Sequence, residues 1–412
     1  MTTPTTTTAS SAQSGAAPGE QRNALGQNAH AHGRDPFVPV QTRSERPSST
    51  NPADFADVTG REAEWKYSPV AKLHDLISGE LAPANERIDD PGVEGVTISR
   101  VSRDDARIGT AGIPEDKASA NAFASFGEAL VIEVSGEDDK VALIDRSGFG
   151  NTPAAAHTIV DIKPHAQALL VLRHTGPAAL AENVEFLVGE GARVTVVSLQ
   201  EWEDGARHLS SHFAAIERDA YLKHVVVSLG GDIVRLNSSA HLNAPGADGE
   251  LFGLYFADAG QHLEQQVFMD HNAPKTRSRV NYKGALQGEG ARSVWIGDVL
   301  IRANADGTDS YEQNRNLVLS DGARADSVPN LEIETGNIEG AGHASATGRF
   351  DDEHLFYLMS RGIAEAEARR MVAHGFLNEI VQEIGNDELA ERLNAIIEQE
   401  LYQSTGRLLG AS

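Results

Sequence analysis

Short runs rich in Val, Ile, Leu and aromatic residues recur through the middle of the chain, from about residue 128 to 340. Examples are ALVIEV (129–134), RVTVVSL (193–199), YLKHVVVSL (221–229) and RSVWIGDVLI (292–301). Branched and aromatic side chains favour strands. No long amphipathic helix separates the runs, which argues against a doubly wound α/β fold. The pattern therefore predicts a mainly β central region.

A small-residue pair precedes several of these strands and forms a weak internal repeat. The pairs are Gly191-Ala192, Asp219-Ala220, Gly246-Ala247, Gly290-Ala291 and Gly322-Ala323, and the widest interval lies between the third pair and the fourth. All the intervals fall in the range of roughly 20–50 residues that is typical of solenoids, in which each coil buries its inward residues against its neighbours. The repeat predicts a β-solenoid, and a β-sandwich remains the alternative.

The hydrophobic pattern changes on both sides of this region. We expect a disordered tail at 1–50, an N-terminal helical and mixed region at 51–127, a solenoid core at 128–345 and a C-terminal helical domain at 346–412. Gly362 is expected to close a first C-terminal helix, since glycine adopts the left-handed conformation readily. An apolar stripe then repeats at every fourth position, and we expect part of it to cap the last coil. Its residues are Val372, Phe376, Ile380 and Ile384.

Histidines are the main candidates for metal chemistry. His343 lies in a small-residue segment, GAGHASATG, that we interpret as a turn at the junction of solenoid and helices. A neutral imidazole binds iron or zinc, but a single histidine is weak support for a metal site, so the residues alone favour a structural role. His208 and His212 are spaced as in a helical metal pair but lie in strand-like sequence. His262 and His271 are expected to be exposed polar residues.

Composition narrows the classes of function. The chain has no cysteine, which excludes disulfides, a thiolate nucleophile and cysteine-bound metal, and suits a reducing cytosol. A net charge of −25 argues against nucleic acid or anionic membrane as a partner. No apolar run reaches the roughly 20 residues of a membrane span, and no secretory signal is evident. Because there is no P-loop, any ATP hydrolysis must belong to a partner.

Two segments carry a family resemblance. PNLEIETGNIEGAGHASATGRFDDEHLFYLMSRGI (329–363) resembles the signature of the SufB/SufD family, subunits of the SUF iron–sulfur cluster assembly scaffold. VNYKGALQGEGARSVWIGDVLIRANADGTDSYEQNRNLVLSD (280–321) looks like the region that precedes this signature in the family, and EWKY (64–67) also matches. The resemblance covers most of the chain from about residue 55.

The resemblance implies a right-handed parallel β-helix with helical parts at both ends. It implies a heterodimer with a SufB-like paralogue and an ABC-type ATPase, SufC-like, docked on the C-terminal helices. We interpret the chain as SufD-like, because SufB needs thiolates for sulfur transfer and this chain has none. Candidate contacts with the ATPase are Arg361, Val372, Phe376 and Ile380.

In the resemblance, His343 faces the SufB-like subunit and becomes a candidate iron ligand for a cluster assembled transiently at the interface. The chain is then a non-catalytic assembly subunit of the cytoplasm. Some SufD relatives carry a cysteine two residues before this histidine, where this chain has Ala341, so a sulfur-handling role is in doubt. Whether reduced flavin joins the complex is left open.

The alternative function is a β-helix enzyme that acts on an acidic polysaccharide. Such an enzyme needs a cation or basic residues against its polyanionic substrate, whereas this chain carries a net charge of −25. The alternative also leaves the helical C-terminus unexplained.

Overall fold

The structure, a computed structural model, describes residues 46–349 and 352–410, so the predicted disordered tail lies almost wholly outside the described residues. The N-terminal part contains a short 3₁₀ helix at Pro52–Asp54, helices α1 (Val70–Ser78) and α2 (Lys117–Ser125), and strands β1 (Ala82–Pro83), β2 (Arg87–Asp89) and β3 (Val96–Val101). The C-terminal part contains helices α3 (Asp352–Ser360), α4 (Glu365–Gln382) and α5 (Asp387–Gly410).

Between these parts the chain winds through eight coils, each of which gives one strand to each of two sheets. The even sheet contains β4 (Ala129–Val134), β6 (Gly150–Ile162), β8 (Ala178–Val188), β10 (Arg207–Ile216), β12 (Ile233–Leu242), β14 (His262–His271), β16 (Arg292–Ile301) and β18 (Arg324–Ile333). The odd sheet contains β5 (Lys140–Ser147), β7 (Gln167–Gly176), β9 (Arg193–Trp202), β11 (Tyr221–Ser228), β13 (Asp248–Ala257), β15 (Arg277–Leu286), β17 (Asp309–Val318) and β19 (Gly340–Arg349).

Strands of successive coils pair in parallel, so the predicted β-solenoid is confirmed and the sandwich alternative is wrong. Arg207 pairs with Ile233 one coil later, and Arg292 pairs with Arg324 one coil later, so one coil corresponds to one period of the sequence repeat. At the N-terminal end, β3 lies antiparallel to β4 and β2 lies antiparallel to β5. These two short strands cover the edges of the first coil.

The small-residue pairs of the sequence are the turns between sheets. Asp219 and Gly246 have φ angles of 55° and 79°, and the alanine after each is buried. The widest interval, from Gly246 to Gly290, arises because Gly290 lies on the opposite edge, in a turn from the odd to the even sheet. On the first edge the series continues through Lys275, whose φ is 56° and which precedes a buried threonine instead of an alanine. The small-residue pairs of the sequence repeat therefore belong to turns on two different edges of the solenoid.

Helices cover the outer face of each sheet, because the outer faces of both sheets carry apolar side chains. Helices α1 and α2 pack on the even sheet. The packed side chains are Leu73, Leu76, Ala118 and Ala122 of the helices and Ala155, Ile159, Ala179 and Leu209 of the sheet. Helices α4 and α5 lie along the odd sheet; there Leu377, Ile380, Leu393 and Ile397 pack on Val197, Val225, Val227 and Leu254. The expectation that the C-terminal stripe caps the last coil is thus wrong: the stripe buries the apolar flank of the odd sheet instead.

Polar side chains are stacked inside the solenoid. Arg146 Nη1 donates to Glu182 Oε2 at 2.9 Å, and the ring nitrogens of His174 and His208 lie 3.3 and 3.0 Å from Glu182 Oε1. One coil further, His212 Nδ1 and His224 Nε2 are 3.0 Å apart. Burial lowers the pKa of His174 to about 4 and that of His224 to about 3. His174 and His224 are therefore neutral parts of the core.

Candidate functional site

The C-terminal end of the solenoid is open in the described residues. Strands β18 and β19 are the last strands of their sheets, and each has a strand neighbour on one side only. The segment GAGHASATG, interpreted as a turn, forms the middle of β19 instead. This segment is extended because every residue of β19 pairs in register with β17. Without β19, the backbone groups of β17 that face away from β15 would lack strand partners. The last strand is therefore an exposed edge made of small residues.

His343 lies at the centre of this edge strand. Its side chain is 44% exposed, and its register partner on β17 is Glu312. His343 Nδ1 is 3.8 Å from Glu312 Oε1, whose side chain is fully buried. One side of the imidazole therefore faces a carboxylate inside the solenoid, while the ring is accessible from solvent.

Glu312 has an unusual environment for a carboxylate. Neither carboxylate oxygen has a well-aligned hydrogen-bond partner in the described part of the chain. Burial raises the pKa of Glu312 to about 8; the negative charge of Asp298 adds to the increase, and the backbone of Asn330 opposes it. Sequence reasoning missed this residue. The available signal was its place shortly before Arg315 in a polar segment, but which of those side chains point inward depends on strand register.

The opposite sheet leaves space for this carboxylate. A Cβ atom on Gly297 of β16 would lie 2.5 Å from Glu312 Oε2 and 2.2 Å from the ring of Trp295. Real Cβ contacts are essentially never that short, so glycine is required for the side chain to reach across the interior. Deeper inside, Asn314 Nδ2 donates to the hydroxyl of Tyr255 at 3.0 Å, and Asn316 Nδ2 donates to Asn314 Oδ1 at 2.7 Å. The inward asparagines of this strand therefore belong to a buried hydrogen-bond network inside the solenoid.

Helix α3 presents a second exposed feature. Phe356, Tyr357 and Met359 are 73%, 53% and 43% exposed. Arg361 stacks on the ring of Tyr357, with its guanidinium carbon 4.4 Å from the ring centroid. An open pocket at this surface is lined by Glu353, Phe356, Tyr357 and Ser360. We call Phe356, Tyr357, Met359 and Arg361 the α3 surface.

The end of α3 follows the sequence expectation for Gly362. Its φ is 85°, its N–H donates to Met359 O, and the next N–H donates to Leu358 O. These two bonds satisfy carbonyl groups that a helix end leaves unpaired. The tight ending sets Arg361 beside the aromatic ring of Tyr357.

The predicted ATPase contacts on α4 are mostly directed at the chain itself. Ile380 is fully buried between α4 and the odd sheet, which corrects its assignment to a partner surface. Val372 and Phe376 are half-buried. The ammonium of Lys283 on β15 lies 4.7 Å from the Phe376 ring centroid and pairs with Glu379. Only Arg361 of the four candidates is fully on the surface.

The described residues bring together no group of three histidine, aspartate or glutamate side chains that could hold a metal ion. His343 is therefore not part of such a group. No helix in the described ranges is long and apolar enough to span a bilayer.

The described residues thus form a β-solenoid that is flanked by helices and has an open C-terminal end. Comparison with known proteins is specific. The family model for the SufBD core domain of SUF-system FeS cluster assembly matches residues 145–376, which is more than half of the chain. The chain therefore belongs to the SufB/SufD family of iron–sulfur cluster assembly proteins, as the resemblance implied.

Curated relatives agree with this assignment. A Mycobacterium tuberculosis protein described as an iron–sulfur cluster assembly SufBD family protein is 49% identical over 352 residues, 83% of this chain and 89% of the relative. A Mycobacterium leprae protein of the same description is 47% identical over 359 residues, 84% of this chain and 91% of the relative. A second M. tuberculosis protein of this description is 30% identical over 223 residues, 54% of this chain and 26% of that protein. Family membership does not favour the polysaccharide enzyme.

Proposed function

We propose that this chain is the SufD-like, non-catalytic subunit of a cytoplasmic SUF complex. It pairs with a SufB-like paralogue, and a nascent iron–sulfur cluster is assembled transiently between them. The observation that carries the proposal is His343, a half-exposed imidazole at the centre of an open edge strand. The presence in M. tuberculosis of one relative that matches most of the chain and another that matches about half of it supports a pair of paralogues.

The open end suits pairing with a second solenoid. The outer side of β19 offers a full strand of backbone without a strand neighbour, and its glycine and alanine residues let another backbone approach closely. Because this chain has no cysteine, it contributes nitrogen or oxygen ligands only. The remaining ligands of the cluster, which is cargo for the complex, come from the SufB-like partner.

We further propose that a SufC-like ATPase docks on the α3 surface. That surface combines exposed aromatic and methionine side chains with an arginine, a composition enriched in protein interfaces. Val372 and Phe376, half-buried on α4, are further candidate contacts, and Ile380 holds α4 on the solenoid. Reduced flavin has no residue-level assignment in this proposal.

The proposal is tested by His343→Ala in the complex co-expressed from this chain, a SufB-like paralogue and a SufC-like ATPase. We expect the complex to assemble and melt normally, because an exposed edge side chain contributes little to the core. Iron and acid-labile sulfide per complex should fall sharply. His343→Cys should restore part of both, since thiolate also binds iron.

Thr347→Ala, on the same strand, is the matched control and should retain normal iron and sulfide. Normal cluster content in a stable His343→Ala complex would remove this residue from the assembly site. A collapsed melting transition would instead assign it a structural role.

A further inference from the structure

Glu312 places an acceptor group next to the imidazole of His343. The two residues are directly opposed in the parallel pairing of β17 and β19, and both point to the interior side of their strands. The 3.8 Å between Nδ1 and Oε1 is an ion-pair distance. This nitrogen is the one turned toward the solenoid, which leaves Nε2 as the nitrogen available to an approaching ligand.

The burial of Glu312 needs an explanation beyond packing. A carboxylate in an apolar interior is costly unless it has hydrogen bonds or a counter-charge. Other buried acids in this solenoid have such partners: Glu182 has Arg146 at 2.9 Å, and Glu264 has Arg235 at 3.1 Å. Glu312 has neither an arginine nor a lysine in ion-pair contact among the described residues, and His343 is the basic group beside it.

The surrounding residues preserve this arrangement. Gly297 leaves the volume that the Glu312 carboxylate occupies, and any side chain there would collide with it. Gly342, next to His343, lies over the exposed ring of Tyr311, where an added Cβ would be 3.3 Å from the ring. The glycine on the opposite sheet thus accommodates a buried acid in the seventh coil, next to the edge strand β19.

We infer that Glu312 is the positioning residue of His343: a small rotation of the exposed ring closes the 3.8 Å gap, and a carboxyl oxygen of Glu312 then accepts the Nδ1–H of the imidazole. A carboxyl oxygen can accept this bond whether or not the group carries its own proton, and the bond leaves the Nε2 lone pair free for iron. Histidines that bind metals generally donate their other ring N–H to a carboxylate or carbonyl, which fixes the tautomer and raises the basicity of the ligand. The inference rests on the proposed role of His343, but it concerns a contact within this chain alone.

The contact is measured on the full chain without iron. Long-range ¹H–¹⁵N spectra of histidine-labelled protein report which ring nitrogen carries the proton, and His343→Ala identifies the signals. In the wild type we expect the Nδ1–H tautomer at His343. Glu312→Met keeps the length of the side chain but removes the acceptor, so the Nε2–H tautomer preferred by free imidazole should take over.

Glu312→Gln retains an acceptor oxygen and should keep the Nδ1–H tautomer, which a purely steric role of the side chain would not predict. Glu339→Ala, which removes an exposed carboxylate just before β19, is the matched control and should change nothing. An unchanged tautomer in Glu312→Met, or the same shift in Glu312→Met and Glu312→Gln, overturns the inference.

A second readout uses ferrous iron added to the co-expressed complex. Loss of such a supporting contact typically weakens metal affinity about 10–100-fold, and we expect a loss of this order for Glu312→Met with an unchanged melting temperature. Wild-type affinity for iron in this variant also overturns the inference. The test of this inference can fail independently of the test of the proposed function. Full iron content in His343→Ala refutes the proposed function, whereas the tautomer of His343 in the iron-free chain decides the role of Glu312.

Discussion

Lowering the pH from 7 to 5 should destabilise this protein through histidines buried inside the solenoid. Burial lowers the pKa of His174 and His271 to about 4 and that of His224 to about 3, from an ordinary value of 6.5. Below pH 6.5 the unfolded chain therefore binds protons that the folded chain excludes, so stability falls as the pH falls. Each of these three residues contributes about 2 kcal/mol at pH 5, or about 6 kcal/mol together. Burial, and next to it the charge of His224, also hold the pKa of His212 well below its ordinary value, so His212 adds to this loss.

Glu312 acts in the opposite direction over the same range. Its folded pKa is about 8 against an ordinary 4.5, so the folded chain binds the extra proton and stability rises as the pH falls from 8. This gain is about 3 kcal/mol between pH 7 and 5, which leaves a net loss of about 3 kcal/mol from Glu312 and the three histidines, and His212 increases that loss. Glu264 and Asp270, whose pKa values are lowered to about 2, lose their contributions only below the ordinary values of 4.5 and 3.8.

Urea unfolding at intervals between pH 5 and 7 measures this dependence. His224→Gln removes one histidine contribution and should reduce the net loss by about 2 kcal/mol, whereas Glu312→Gln removes the offset and should increase the net loss by about 3 kcal/mol. His74→Gln, at an exposed position of α1, is the control and should leave the slope unchanged. A constant free energy of unfolding over this range, or two variants that move the slope in the same direction, would refute the reasoning.

Two further predictions concern the C-terminal helices. Ile380→Ala should lower the free energy of unfolding by about 2–5 kcal/mol, since it leaves a cavity in the fully buried contact between α4 and the odd sheet; Met371→Ala, on the exposed side of α4, should cost far less in the same urea titration. Phe356→Ala combined with Tyr357→Ala should weaken capture of the SufC-like ATPase at least tenfold in a surface-binding measurement with an unchanged melt, and unaltered affinity would reject the α3 surface as the docking site.

The strands were predictable because they are short runs rich in branched and aromatic residues and because the turns between them recur. Turn residues such as Asp219 and Gly246 could be read directly, since a positive φ selects few residue types. Strand β19 could not be read in this way. Its glycines, alanines and serines have weak strand preference, and it is extended only because β17 offers it a backbone to pair with.

The site was predictable only in part for the same physical reason. His343 is recognisable from its surrounding motif. The inferred role of Glu312 depends on its alignment with His343, which lies one full coil later in the sequence, and no local sequence pattern contains that alignment. The apolar stripe through Ile380 was visible, yet periodicity shows that a face is buried and not which surface buries it. His271 was expected to be exposed and is fully buried, with hydroxyl partners Thr276 and Ser278 supplied by the neighbouring turn and strand.

The open edge of β19 has a consequence for how the chain is produced. Every earlier coil receives its neighbour from the same polypeptide as synthesis proceeds, whereas in the proposed complex the last coil obtains its neighbour from the SufB-like partner. Supply of that molecule is a matter of gene dosage and translation rate. An excess of this subunit over its partner leaves adhesive strand ends, so matched expression of the two chains protects the cell against aggregation as much as it sets the yield of complex.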